Sequence, residues 1–566
     1  MKFINSLIIR SPAFPLNKTI NSPLFAEGIY LTSPTLYNEY QKLLLNVLTD
    51  KKEIQKLNVS IYKYQTRASS RCTPFGLFAG IGIGEFKTQN CITLDSNLKN
   101  ILNRKTRLDM NVLCILAQEL SKQDSIKRYL NFYPNNSIYQ IERHYRYVEY
   151  YYHNTQRVHK LSKVDFSEYL KLVFNEAKGG KTLKELSNLL VSDDILQEEA
   201  EAFINELVSS QLLISELEPT VTGLDFFDVI LKVLDDINKK NTSNELSSTL
   251  EILNRVKKSL AILDKNKIND IAEYQHIFNS INSVLPTITE TNLFQTDLFI
   301  KTDVSTIDTT IQETILNALV FLNKITPLYK NKTLTDFKNR FNERYEDYEI
   351  PLLQALDTET GIGYSKKDTN GINNLIDDLY ISSEATDRTL KWNNLQAVLH
   401  QLITKSIKEN KTQIKITEQD FQGIDFSTKK LPHSLSVMFK VINQNTNKII
   451  LTGAGGSSAI NLLGRFAHGN LDILNIVKVI AQHEQEQSNN NILAEVVHLP
   501  ESRVGNILSR PIFREYEIPY LSKSSVDKDF QIEASDLFIS IKNDEIILRS
   551  KRMNYPGAEP RGIEGK

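Results

Sequence analysis

Two tyrosine-rich runs of strand composition, Ser137 to Tyr145 and Tyr147 to His153, precede three helical patterns that begin at Phe166, Thr182 and Ile195, and a short extended run, Leu212 to Leu217, closes the series. Aromatic and β-branched residues favour a pleated surface, so the first two runs read as strands. In the third helix Leu196, Ala200, Phe203, Ile204, Leu207 and Val208 recur at i, i+4, i+7, i+8, i+11 and i+12, the spacing of a single buried stripe. Thr182 and Glu185 have the spacing of a capping box, in which each side chain satisfies a free N–H of the other residue. Strands, three helices and a closing strand over residues 135–218 predict a winged-helix-like module. Such modules often read DNA, but here the helix in the recognition position carries Asp193, Asp194, Glu198, Glu199, Glu201 and Glu206 and would repel phosphates. A peptide that adds as a strand to the exposed sheet edge suits it better, and no DNA partner is expected.

The module is one part of a 566-residue chain, too long for one compact core. Residues 1–130 predict an α+β part: a buried first strand over Phe3–Ile9, a helix over Leu36–Val47, a strand over Ile81–Phe86 and a helix over Met110–Leu120. Residues 219–345 are dominated by amphipathic helical patterns, such as Leu246–Leu263 and Ile311–Tyr329, interrupted by the strand-like Leu293–Ile300. Residues 346–553 return to mixed α/β character, with extended runs near Ser434–Ile442, Lys448–Leu451, Ile492–His498 and Leu537–Leu548. The ending, residues 554–566, lacks apolar periodicity and reads as a disordered tail. The fold class expected is α+β, a mixed architecture of several subdomains with an inserted peptide-binding module and a helical scaffold.

Composition removes several functions. With 41% hydrophobic residues, 24% charged residues and a formal net charge of −1, the chain is neither disordered nor a wholesale polyanion binder, so a nucleic-acid surface has to be a local patch. Three cysteines, Cys72, Cys91 and Cys114, without CxxC spacing argue against a disulfide framework or a zinc cluster and fit a reducing, cytoplasmic setting. Arg10 interrupts the apolar start and no small-residue cleavage site follows, so this is not a signal peptide. No stretch approaches the roughly 20 apolar residues needed to cross a bilayer, which leaves peripheral membrane contact open.

Two stretches carry candidate chemistry. In RASSRCTPFGLFAG, residues 67–80, Pro74 fixes its own φ, Thr73 is biased toward extended geometry and Gly76 opens a turn, giving a rigid corner. Arg67 and Arg71 are four residues apart and project to one side of a helix. Beside Ser69, Ser70 and Thr73 they suit a phosphate or a developing oxyanion, and local salt bridges are the plainer alternative. From Lys63 to Arg107 the bases Lys63, Arg67, Arg71, Lys87, Lys99, Arg104, Lys105 and Arg107 face only Glu85 and Asp95. The second stretch, LTGAGGSSAINLLGRFAH at 451–468, predicts a strand, a Gly-rich loop and a helix from about Ala459 capped by Ser457 or Ser458, with Arg465 two turns inside it. It is neither a P-loop nor a dinucleotide fingerprint. HEQEQ at 483–487 lacks the second histidine of a zinc helix and reads as surface, and His498 reads as a packed or capped histidine. No metal site is expected.

Together with DTETGIGY (357–364), ILAEVVHLPESRVGNIL (492–508) and YEIPYL (516–521), these stretches resemble the N-terminal region of the lantibiotic dehydratases, the class I LanB-type enzymes. The resemblance implies tRNA-dependent glutamylation: a Ser or Thr hydroxyl of a precursor peptide attacks the ester carbon of glutamyl-tRNA, which is a co-substrate, with no other cofactor. A separate domain then eliminates glutamate. Carried over by motif, Arg67, Arg71 and Thr73 match the arginines and threonine of the glutamylation site, and Arg10, Asp297 and Arg465 match two further arginines and an acidic residue. The implied partners are the precursor peptide through its leader, glutamyl-tRNA and a separate elimination-domain chain, with a homodimer left open. Full enzymes of this class look roughly twice as long, so a C-terminally truncated form is expected. The alternative is an inactive remnant that serves as a leader-binding adaptor.

Overall fold

The computed structural model describes residues 2–15, 22–93, 102–153, 156–240, 243–326, 331–365, 392–422, 431–443, 447–488, 491–553 and 563–565. Its backbone separates into two units. The larger comprises Ile4–Asp308, Ser457–Leu537 and Arg549–Lys566, and the smaller Met1–Phe3, Thr309–Gly456 and Phe538–Leu548.

The larger unit starts with β1 (Ser6–Pro12) and three helices, α1 (Pro23–Thr32), α2 (Pro34–Leu44) and α3 (Lys51–Ser70). Ser22 and Ser33 each place a hydroxyl acceptor before a proline at the first helical position, taking Phe25 N and Leu36 N at 3.2 Å, which fixes where α1 and α2 begin. The strands β2 (Ala79–Lys87), β3 (Cys91–Thr93) and β4 (Leu102–Leu108) follow, then helix α4 (Met110–Lys122). The expected first strand is present but begins at Ser6 and is half-buried throughout, because it lies beside β2 with Arg10 in register with Ile81.

The winged-helix-like module is built from β5 (Phe132–Pro134), β6 (Tyr139–Ile141), β7 (His144–His153), β8 (Gln156–Asp165), α5 (Glu168–Ala177), α6 (Leu183–Asn188), α7 (Gln197–Ser209) and β9 (Leu213–Ser215). The capping box forms: Glu185 Oε2 accepts from Thr182 N at 2.8 Å and Thr182 Oγ1 accepts from Glu185 N at 3.3 Å. Of the stripe on α7, Ala200, Ile204 and Leu207 are buried, but Leu196 is the N-cap and lies 67% exposed, since the helix begins one residue after it. The acidic residues Glu198, Glu199, Glu201 and Glu206 face solvent.

Helices α8 (Phe226–Lys240), α9 (Asn244–Lys265) and α10 (Ile271–Val284) lead to β10 (Phe294–Ile300) and β11 (Val304–Asp308). The strand-like interruption of the helical run is thus a central strand of the main sheet, whose order is β3-β11-β2-β10-β4 with β1 on the far side of β2. β10 runs parallel to β2, Phe299 beside Ile81, and antiparallel to β4, Asp297 opposite Lys105 and Gln295 opposite Arg107. Side chains alternate across a sheet. Arg10, Ile81, Phe299, Asp297, Lys105 and Arg107 therefore share one face. That face packs Ile81 and Phe299 against Ile460, Phe466, Ile473 and Val477, while Leu298 and Ile300 on the other face pack against Phe14, Phe25, Ile29 and Phe78. Beneath the second face the buried Glu27 carboxylate takes Arg104, and Tyr274 OH at 2.7 Å.

Later in the chain come α11 (Leu471–Glu486), β12 (Ile492–Val497) and β13 (Tyr516–Pro519), the two strands parallel. Of the ending 554–566 only 563–565 are described, and they lie parallel to β12. In the smaller unit, helices Thr310–Ile325 and Lys332–Tyr345 accompany a hairpin of Ser436–Asn443 with Lys448–Gly455, and its core gathers Phe337, Phe341, Ala355, Ile539 and Ile541. The extended run 537–548 is two strands, broken where Asn543 and Asp544 adopt φ of 52° and 61°, the left-handed pair of a tight hairpin turn. In the DTETGIGY stretch Asp357 Oδ1 accepts from Glu359 N and Thr360 N at 2.8 and 2.7 Å, and Arg344 donates to the carbonyls of Thr360 and Gly361, a structural clasp. Among the described residues no helix is long and apolar enough to cross a membrane.

Candidate functional site

On the Asp297 face of the larger unit, charged groups from six parts of the chain converge. Asp297, only 4% exposed, accepts from Arg465 through Oδ1 and lies 3.3 Å from Arg107 Nη2 through Oδ2. Arg107 reaches Asp225 at 3.9 Å. Lys105, on the same face, pairs with Asp264 at 3.4 Å. Arg10 stands close enough to Arg465 that burial, and then the like charge of Arg465, push its pKa down. Arg107 and Arg465 therefore share Asp297, with Asp225 beside Arg107 and the Arg10 guanidinium close to Arg465, a dense group of fixed positive charge in a poorly hydrated place that suits an anion. The Nε atoms of Arg107 and Arg465 are buried without a hydrogen-bond partner among the described residues.

The loop that delivers Arg465 differs from the helix expected after the Gly-rich stretch. Ser458 does cap, accepting from Ile460 N at 3.2 Å, but what it caps is a single 3₁₀ turn, Ala459–Leu462, followed by a second, Gly464–Phe466; the α-helix starts only at Leu471. Tight turns present Arg465 and Phe466 together: the guanidinium sits 4.6 Å from the Phe466 ring, which meets Phe299 edge-on at 6.4 Å. A Cβ on Gly469 would fall 2.4 Å from the Phe299 ring, so glycine there lets the loop lie flat on β10. Ser458 also donates to Glu484, which Arg514 pairs from the other side. HEQEQ is otherwise surface, as expected, with His483, Gln485, Glu486 and Gln487 exposed; Glu484 alone departs, being fully buried.

His468, at the end of the same loop, is the residue that pattern reading passed over. Its Nε2 is buried without a hydrogen-bond partner among the described residues, and its pKa is lowered to about 4 by burial, then by Arg107 and Lys105, against the pull of Asp225 and Asp297. The imidazole is neutral at pH 7. The signal available was its place in GRFAH, three residues after Arg465. Arg107 was visible only as one of eight bases in a run.

Arg67, Arg71 and Thr73 form a second group. Arg67 lies on the last turn of α3 with its guanidinium 4.1 Å from the ring of Phe75, while Arg71 is the exposed C-cap and Thr73 is exposed beyond it. The corner between them and β2 is rigid, with Gly76 at φ 51°. Phe75 bridges Ala79, which pairs with Pro12 two strand positions from Arg10, roughly 7 Å of strand rise. The structure thus joins Asp297 and Arg465 directly, brings Arg10 near Arg465, and places the α3 corner beside the same end of β1. The basic run does not survive as one surface, because Arg104 and Arg107 are buried in ion pairs and Lys87 and Lys105 are paired with acids; Lys99 lies outside the described residues.

A strand edge of the module is the next feature. β7 pairs β6 and β8; beyond β6 its edge is closed by side chains, with Ser137 Oγ accepting from Val148 N and Gln211 bonding both backbone groups of Tyr150. Apart from a bridge of Gln156 to Glu501, no described strand covers the outer edge of β8. Arg157 on β8 is buried, donating to Leu521 O at 2.9 Å and to Glu218 at 3.2 Å, and stacks on Tyr150 at 4.0 Å, so the hairpin is pinned at its turn end. His498 is held as expected, Nδ1 2.9 Å from Tyr520 O. Cys72 is exposed, Cys91 half-buried and Cys114 buried, its thiol pushed up to about 12 by burial. No group of three metal-ligating side chains occurs among the described residues.

Residues 21–556 match the family model described as lantibiotic dehydratase, N terminus. The chain is 24% identical over 543 residues to the subtilin biosynthesis protein SpaB of Bacillus subtilis, covering 94% of this chain and 50% of that one. It therefore spans about half the length of the relatives it matches. The crystal structure of the tRNA dependent lantibiotic dehydratase MibB from Microbispora sp. 107891 shares the fold at a TM-score of 0.80 and 17% identity, covering 99% of this chain and 54% of that one. The glutamylation domain TbtB from thiomuracin biosynthesis aligns at a TM-score of 0.59 and 13% identity, covering 96% and 66%. With the family model covering nearly all of the sequence, the chain belongs to the lantibiotic dehydratase N-terminal family.

Proposed function

We propose that the chain carries out the acyl-transfer half of peptide dehydration: the oxygen of a Ser or Thr side chain attacks the ester carbonyl carbon of glutamyl-tRNA, the tetrahedral oxyanion collapses, and the ribose hydroxyl of the tRNA leaves with the proton. The observation that carries this is the convergence of Arg107 and Arg465 on Asp297, with Arg10 close to Arg465 and Arg67, Arg71 and Thr73 at the neighbouring corner. Fixed guanidiniums in a partly desolvated place stabilise charge that develops during the reaction more than charge already present in the substrate. Asp297 aims Arg465 and Arg107, and Arg67 and Arg71 receive the phosphates of the tRNA end. The likeness to a structure titled as a glutamylation domain supports the same reading. The test is incubation of the chain with glutamyl-tRNA and a Ser/Thr-rich precursor, alone and with a candidate elimination-domain chain. A mass gain of one glutamyl group that disappears in Arg71→Ala is expected; no ester under any of these conditions refutes it.

The outer edge of β8, which among the described residues only the Gln156–Glu501 bridge uses, favours a second reading, a leader-binding adaptor, in which the acidic module holds the peptide and no transfer follows. Tight leader binding without ester formation would select it.

A further inference from the structure

A cavity of about 640 Å³ opens beside α8, away from the sheet face described above, and nothing in the acyl-transfer reading uses it. Leu224, Val233, Ile237 and Ile512 give it an apolar wall, and three lysines, Lys232, Lys240 and Lys523, line it. Its own carboxylates are already engaged. Glu216 accepts from Asn131 N at 2.8 Å and from Asn131 Nδ2 at 3.3 Å, and Asp236 pairs with Lys239 at 3.3 Å. Lys523 donates to the backbone carbonyl of Glu216 at 2.9 Å, which leaves ammonium protons over. Burial holds that ammonium below the ordinary lysine range, Glu216 pulls the other way, and the like charge of Lys232 lowers it further. Such a group gains from an incoming anion more than a solvated lysine does.

Shape narrows the ligand. Lys232 and Lys240 lie on one helix at i and i+8, roughly 12 Å apart along its axis, too far for a single phosphate and the span of about four extended residues. Lys232 and Lys523 mark one end of the cavity and Lys240 the other, with the apolar wall between. We infer that this cavity is a subsite for an extended peptide segment in which two carboxylates flank two apolar residues. It is a site separate from the β8 edge and from the Asp297 cluster.

The experiment uses the full chain and a fluorescent synthetic peptide with two leucines between two glutamates, followed by anisotropy, without tRNA or any acceptor hydroxyl; its failure leaves the glutamylation reading untouched. Saturable binding is expected, weakened at least tenfold by Lys523→Met and several-fold by Lys240→Gln, whose exposed position at the end of α8 removes any concern about folding. The same peptide with lysines for glutamates should not bind. Equal binding of the two peptides, or binding unchanged in both variants, overturns the inference. Displacement of the peptide by inorganic phosphate at matching concentration overturns it too, by showing a small-anion site.

Discussion

Asp297 accepts a hydrogen bond from Arg465, 168 residues further along the chain. The pair is unequal: Asp297 also holds Arg107 and is nearly inaccessible, whereas the Arg465 side chain keeps 20% of its surface. Removing the acid takes the shared partner from the Arg107 and Arg465 guanidiniums, so Asp297→Ala should cost about 3–5 kcal/mol of stability. Arg465→Ala leaves Asp297 with Arg107 and should cost only about 1–2 kcal/mol, yet reduce glutamyl transfer by about 100-fold or more. Urea denaturation beside a transfer assay separates the two effects; equal loss of stability in both variants contradicts the division of roles.

Arg67 is held by stacking on Phe75 at 4.1 Å rather than by a carboxylate. A planar guanidinium keeps this contact and a lysine ammonium does not. Arg67→Lys, with charge retained, should therefore lower transfer about tenfold, and Phe75→Leu should do the same by releasing the arginine, each with less than about 1 kcal/mol change in stability. If Arg67→Lys is fully active, position 67 acts as a point charge and the stacked geometry is immaterial.

Much of this was legible in the sequence because local rules governed it. The Thr182–Glu185 capping box, the helix expected over Met110–Leu120 and the strand expected over Ile81–Phe86 each follow from a few neighbouring residues, and each formed, the helix and the strand one to two residues longer at their ends. The paired arginines before TPFG marked a rigid corner for the same reason. What stayed hidden depended on tertiary partners. Arg104 and Arg107 looked like part of a solvated basic run until β4 buried them against Glu27 and Asp297. Glu484 looked like helix surface, but Ser458 and Arg514 close over it. The helix expected from Ala459 failed because Gly464 and Phe466 are pulled onto Phe299 and Phe513, a packing demand that propensity does not register.

His468 supplies a pH dependence. Its native imidazole titrates near 4 and the unfolded one near 6.5. Between those values the unfolded chain takes up a proton that the native chain refuses, so the native state is fully favoured above about pH 6.5 and loses stability as the pH falls toward 4. His159 and His498, both lowered first by burial and then by nearby positive charge, act in the same direction. His468→Gln should flatten this fall without abolishing it. Denaturation midpoints at pH 7, 5.5 and 4.5 give the slopes; an unchanged slope in the variant would show that His468 is not held neutral.

The edge of β8 makes a demand that only backbone groups can answer. With β7 on one side, every second N–H and C=O of Gln156–Asp165 points outward, and among the described residues only the Gln156 bridge to Glu501 uses that side. A leader that adds as a strand should slow amide exchange at His159, Leu161 and Lys163, whose N–H groups aim away from β7, and leave the exposed acidic face of α7 unchanged. Hydrogen exchange with and without leader peptide reads this directly. Uniform protection of β8, or protection centred on α7, would mean that the peptide docks on a side-chain surface instead. Arg157→Met, which unpins the turn end of the hairpin from Leu521 and Glu218, should weaken leader binding at least tenfold while leaving the exchange pattern of the main sheet intact.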